Sequence, residues 1–158
     1  MKDHPAYPFQ HPTDAMILEV FRLNGALIAA GDELVKPLGL TSARWQVMGS
    51  VAQGRGESPV AQLARNMGLA RQSVQRVVDD LVAAGIFELA PNPNHKRAKL
   101  VRFTPDGMAL FDKATALWAP FAEALAAEAE PGELARFTDL LARLRARLEH
   151  GPNHGGET

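Results

Sequence analysis

Residues 60–77 read VAQLARNMGLARQSVQRV, and the spacing within them decides the fold. Counting Val60 as the first position, the fifth is Ala64, small enough for two helices to cross closely. The ninth is Gly68, which supplies the left-handed conformation of a tight helix exit. Leu63, Met67, Leu69, Val74 and Val77 fall where the shared core of such a pair needs apolar groups. Two short helices joined by a turn of about three or four residues make a helix-turn-helix.

The second helix of the pair carries the chemistry. At about 100° per residue, Val74, Val77, Val78 and Leu81 occupy one side, while Arg71, Gln72, Gln75 and Arg76 cluster opposite them and at the N-terminal end. An arginine can bridge O6 and N7 of guanine, a glutamine can pair with N6 and N7 of adenine, and Ser73 can serve a phosphate or a base edge. The competing reading is structural: Arg76 has Asp80 at i+4 as an ion-pair partner, and glutamines are ordinary solvated helix formers. Asp79 returns to the same face and has to lie beyond the phosphates if this helix docks in a groove.

The segments IFELA (86–90) and AKLVRFT (98–104) are rich in β-formers and joined by the turn-prone PNPNHKR, so they read as a two-stranded hairpin. A hairpin directly after a recognition helix is a wing. Lys96 and Arg97 sit at its tip, with His95 and Lys99 beside them, within reach of backbone phosphate or the minor groove. Alternation sets Ala98 and Leu100 on one strand face and Lys99 and Val101 on the other. Arg102 shares the face of Leu100 and reads as a structural or rim residue.

Charge follows the same division. Between Val60 and Thr104 seven cations meet three anions, a balance of +4, and the rest of the chain balances at −5. A basic middle between acidic ends suits a protein that offers one face to a polyanion.

Around this lobe the periodicity is helical. Thr13 or Asp14 can cap a first helix bearing Met16, Ile17, Val20, Phe21, Leu23, Leu27 and Ile28, which KPLGL (36–40) ends. A second helix restarts at Thr41 or Ser42 and stops at Gly54 and Gly56. Ser58-Pro59 reads as a cap and first helical position for the third, and 69–84 as the fourth. Thr104-Pro105-Asp106 opens a long helix with Pro120 inside it, where a kink is expected. In the last helix Leu134, Phe137, Leu141, Leu144 and Leu148 step by three and four, a dimerisation seam.

Composition removes whole classes of function. The chain has 158 residues and no cysteine, so disulfides, thiolate metal sites and thiol chemistry are out. The five histidines lack helical i, i+4 spacing with a carboxylate, and no phosphate loop or nucleophile elbow is present; no metal, cofactor or catalytic residue is expected. With no apolar N-terminal leader or membrane-length run, a cytoplasmic location is the default.

LTSARWQVMGSVA (40–52), LARNMGLARQSVQRVVDDLVAAGIFEL (63–89) and NPNHKRAKLVRFTPDG (92–107) together resemble the MarR (multiple antibiotic resistance regulator) family of winged-helix transcription factors, in order and at matching spacing. The resemblance spans residues 14–148. It implies a homodimer joined through N- and C-terminal helices, bound to pseudo-palindromic double-stranded DNA and often released by a small aromatic acid or phenol. Arg44, Trp45, Met48 and Trp118 are the candidates for lining an effector pocket, against the alternative that apolar residues at helical period are core. In one departure, His95 stands where the family wing usually carries the aspartate that pairs with the arginine at Arg97.

The expected fold is therefore mainly α, a winged helix-turn-helix with a two-stranded wing. A dimerisation helix is expected over 13–37, the DNA-binding lobe over 41–104 and dimerisation helices over 105–150, with flexible termini at 1–12 and 151–158. The expected function is sequence-specific regulation of transcription, as a repressor. The alternative is a winged-helix module for protein contacts, since fold does not fix function.

Overall fold

The computed structural model describes residues 11–149. They form six α-helices and three short strands: α1 (Pro12–Val35), a 3₁₀ turn (Lys36–Leu38), α2 (Ser42–Gln53), β1 (Glu57–Pro59), α3 (Val60–Met67), α4 (Arg71–Ala83), β2 (Phe87–Ala90), β3 (Leu100–Phe103), α5 (Pro105–Ala126) and α6 (Glu133–Glu149). The chain divides into two compact units between Leu117 and Trp118, within α5. That point lies in the turn before Pro120, which has no N–H to offer the helix.

The core of the first unit is built by the lobe's helices and strands, with Val35 of α1 and Ala114 of α5. Leu63 of α3, Val74, Val78 and Leu81 of α4, and Val47, Met48 and Val51 of α2 are buried together with Phe87, Val101 and Ala114. Phe87 meets Phe103 edge-on at 5.0 Å between ring centroids, and Phe103 in turn meets Phe111 of α5. The start of α5 is pinned to the start of β2. Thr104 donates its hydroxyl to Gly85 O at 2.7 Å and accepts from the Gly107 N–H at 3.0 Å. Gly107 has to be glycine here, because a Cβ would sit 2.0 Å from Ile86 O.

Several sequence expectations need correction. The expected hairpin of β2 and β3 forms, but its sheet has a third strand, in the order β1-β3-β2, because Glu57–Pro59 pairs antiparallel with β3: Glu57↔Arg102, Ser58↔Val101, Pro59↔Leu100. Ser58 is thus a buried strand residue; Pro59 occupies the cap position of α3 with extended φ/ψ. A proline is tolerated in an edge strand, where its missing donor leaves no ladder bond unmade. Along β3 Val101 is buried, with Leu100 half-buried and Arg102 exposed on the opposite face, in keeping with the alternation and with Arg102 as a rim residue. Leu69 is half exposed rather than core, since the turn after Gly68 swings it outward.

At the N-terminus, α1 starts earlier than expected. His11 caps it and Pro12 takes its first turn, so these two residues belong to the helix and not to a flexible end. The expectation for 1–10 and 151–158 lies outside the described residues.

Candidate nucleic-acid interface

The helix-turn-helix closes as its sequence demands. Gly68 has φ 64°, its N–H reaches Arg65 O at 3.2 Å, and the Leu69 N–H reaches Ala64 O at 3.0 Å. This paired capping satisfies two carbonyls that the end of α3 would otherwise leave open. Ala64 is buried where α3 meets α4. At the far end of α4 the same pattern recurs, with Gly85 N–H to Val82 O and Ile86 N–H to Leu81 O at 2.9 Å. Both helices of the pair are thus capped at their C-terminal ends.

With Val74, Val78 and Leu81 turned inward, Arg71, Gln72, Ser73 and Arg76 are exposed and Gln75 is half-buried. The i, i+4 pair of Arg76 with Asp80, the competing structural reading, does not form. Asp80 lies instead against Arg44 of α2 at 3.8 Å, and among the described residues Arg76 has no acidic partner within 4.0 Å. Gln75 Nε2 donates to Asp79 Oδ1 at 2.8 Å, so Asp79 is engaged along the helix axis.

The wing separates its cations by role. Arg102 lies between cross-strand partners Glu57 and Glu88, and its Nε contacts Glu88 Oε1 at 2.6 Å. It is neutralised on the sheet, as its rim reading requires. His95, Lys96, Arg97 and Lys99 are all exposed on the loop between β2 and β3. Among the described residues, none of Arg71, Arg76, Lys96, Arg97 and Lys99 forms an ion pair. The loop backbone is organised by Asn92, whose Oδ1 accepts from the Asn94 N–H at 3.0 Å and whose carbonyl accepts from the His95 N–H at 3.2 Å; the Ala98 N–H closes on His95 O. This role of Asn92 was not read from the sequence, although an Asn beside two prolines is a turn signal. It shapes the tip where an Asp to Arg97 pair is not available.

The four effector-pocket candidates are not gathered by the first unit. Met48 has no exposed surface and belongs to the core, which corrects its reading as a pocket residue. Trp45 packs partly buried against that core, and Arg44 is the partner of Asp80. Trp118 belongs to the second unit, where its ring lies 4.9 Å from Phe121. A cavity of about 520 Å³ opens instead between the end of α1 and the start of α2, lined by Ile28, Asp32, Glu33, Lys36, Leu40, Thr41 and Ala43.

The dimerisation candidates lie on α6, where no residue is buried; Leu134, Phe137 and Leu148 are exposed and Leu141 and Leu144 half-buried. Among the described residues no cluster of His, Asp or Glu could hold a metal, and no helix is long and apolar enough to cross a membrane.

Comparison with known proteins agrees with this geometry. A family model described as MarR family matches residues 38–98. An uncharacterised protein of Mycobacterium tuberculosis is 35% identical over 134 residues, covering 85% of this chain and 92% of that protein. A cysteine-to-serine mutant of MarR from Escherichia coli, solved in complex with operator DNA, superposes with TM-score 0.65 at 26% identity over 82% of this chain and 95% of that one. An organohalide-sensing transcriptional regulator bound to 2,4-dichlorophenol shares the fold, with TM-score 0.79 at 15% identity, over 98% of this chain and 92% of that one.

Proposed function

The chain belongs to the MarR family of transcriptional regulators, and from that premise we propose that it is a repressor that binds a pseudo-palindromic operator as a homodimer. The observation that carries this reading is the set of unpaired cations. Arg44 and Arg102 of the same lobe have acidic partners, whereas Arg71 and Arg76 on α4 and Lys96, Arg97 and Lys99 on the wing have none among the described residues. Exposed unneutralised guanidinium and ammonium groups on a recognition helix and on the adjoining loop suit a duplex whose phosphates lie beside the groove that the helix enters. Arg71, Gln72, Gln75 and Arg76 are the base-reading side chains, with Ser73 on phosphate or a base edge. The wing residues track the backbone.

Dimerisation is supported by the exposed apolar rows. On α1, Ile17, Phe21, Leu23, Leu27 and Ile28 are exposed, and on α6 so are Leu134, Phe137 and Leu148 of the seam, with Leu141 and Leu144 half-buried. Surfaces of this kind mark contacts with other chains. A small aromatic acid or phenol is the proposed releasing ligand, the class to which the 2,4-dichlorophenol of the structural relative belongs. Arg44 and Trp45 of the first unit are its candidate contacts.

Selection of bound duplexes from a random pool tests the reading. The expected result is a two-fold symmetric motif with half-sites about one helical turn, or a multiple of it, apart. Failure to enrich any motif, with weak binding that does not depend on salt, would favour a protein-contact module instead.

A further inference from the structure

Gln75 and Asp79 lie one turn apart on α4, with Nε2 of Gln75 2.8 Å from Oδ1 of Asp79. Asp79 has no cation within 4.0 Å among the described residues, and the neighbouring Asp80 is occupied by Arg44. The glutamine amide is therefore the one side-chain partner that the structure records for Asp79.

The consequence follows from donor and acceptor types. An ionised carboxylate only accepts hydrogen bonds, while an amide has a donating and an accepting end. Turning the Gln75 amide over would set its Oε1 against Oδ1 of Asp79, acceptor against acceptor. Asp79 thus holds the amide in one orientation, with nitrogen towards the carboxylate and Oε1 turned away from it.

We infer that Asp79 is a positioning residue that makes Gln75 read DNA in one direction, presenting a carbonyl acceptor and selecting a base with an exocyclic amino donor in the major groove. Those bases are adenine, through N6, and cytosine, through N4; guanine and thymine offer acceptors at O6, N7 and O4. Adenine fits more completely, because the second N–H of Nε2 remains for N7. The inference rests on the reading of α4 as the recognition helix and gives a use to an acid on its DNA-facing side.

The test uses the full-length protein and duplex selection from a random pool, with wild type, Asp79→Asn and Gln75→Ala compared. Asparagine has nearly the same shape as aspartate but both donates and accepts, so it can hold Gln75 either way round. At one base pair in each half-site, wild type is expected to prefer adenine or cytosine by about tenfold or more. In Asp79→Asn that preference falls to about twofold or less, every other position keeps its preference, and affinity rises evenly on all sequences because a negative charge is gone. Gln75→Ala loses the preference at the same base pair, and adding Asp79→Asn to it changes no preference further. A preference unchanged in Asp79→Asn, or guanine or thymine selected at the Gln75 position, overturns the inference while leaving α4 as the reader. If wild type selects no motif at all, the reading of α4 and the inference fall together.

Discussion

The winged lobe and the C-terminal helix use apolar residues in opposite ways. In the lobe, Leu63, Val74, Val78, Leu81, Met48 and Val51 have almost no exposed surface, and their partners are all in the same chain. In α6, leucines at equally regular spacing remain exposed, Leu134 at 50% and Leu148 at 81%. The same residue type at helical period therefore has two destinies, set by whether the chain brings a second apolar face to it. The lobe, with Val35 of α1 and Ala114 of α5, buries its apolar residues within the chain, whereas α6 leaves Leu134 and Leu148 exposed, the surface that the proposed second copy would cover.

Breaking the lobe should have the largest effect. Leu63→Ala removes a fully buried side chain between α2, α3 and α4 and is expected to cost about 2–5 kcal/mol of stability. Chemical unfolding should show the loss at every protein concentration. If it disappears on concentrating the protein, the lobe depends on a partner and the contrast fails.

Charging α6 sharpens the other half. Leu141→Glu with Leu144→Glu is expected to weaken self-association by a hundredfold or more, since each leucine contributes about 1.5–3 kcal/mol when buried. Sedimentation should find a monomer with an intact helical spectrum, and operator affinity should fall with it. Unchanged association would remove the Leu134–Leu148 seam from the interface.

A smaller loss is expected from the reading face. Arg71→Ala or Gln72→Ala should cost about 1–3 kcal/mol on the selected operator and leave binding to unrelated duplex nearly intact. Titrations against both duplexes decide; equal losses on each would make these residues phosphate contacts. The smallest change belongs to Arg102→Ala. Its pair with Glu88 is about half exposed on both sides, so stability should move by no more than about 1 kcal/mol. Because Arg102 is neutralised on the sheet, the salt dependence of DNA binding should stay as it is.

The sequence carried most of the lobe because its signals are local. Ala64, Gly68 and the inward valines of α4 satisfy requirements of spacing and backbone conformation that hold within one turn. Thr41 at the start of α2 was legible for the same reason. What was missed depends on pairing at a distance. Ser58-Pro59 looks like a helix start until β3 arrives beside it from more than forty residues downstream and makes Glu57–Pro59 a strand. Asp80 likewise had two possible partners, and only the approach of α2 gives it Arg44 rather than Arg76. At the wing, the chemical character of Lys96 and Arg97 was plain from the residues, whereas the loop built around Asn92 came from the structure.

The central claim is that the unpaired cations of the wing meet phosphate beside the groove that α4 reads, and the dependence of operator affinity on salt tests it most directly. Lys96→Ala with Arg97→Ala removes up to four phosphate contacts from a dimer, so the slope of log affinity against log salt should shrink by up to about 3 to 4, with folding and self-association unchanged. A slope equal to that of the wild type would mean that the wing does not touch the duplex, and would contradict the account.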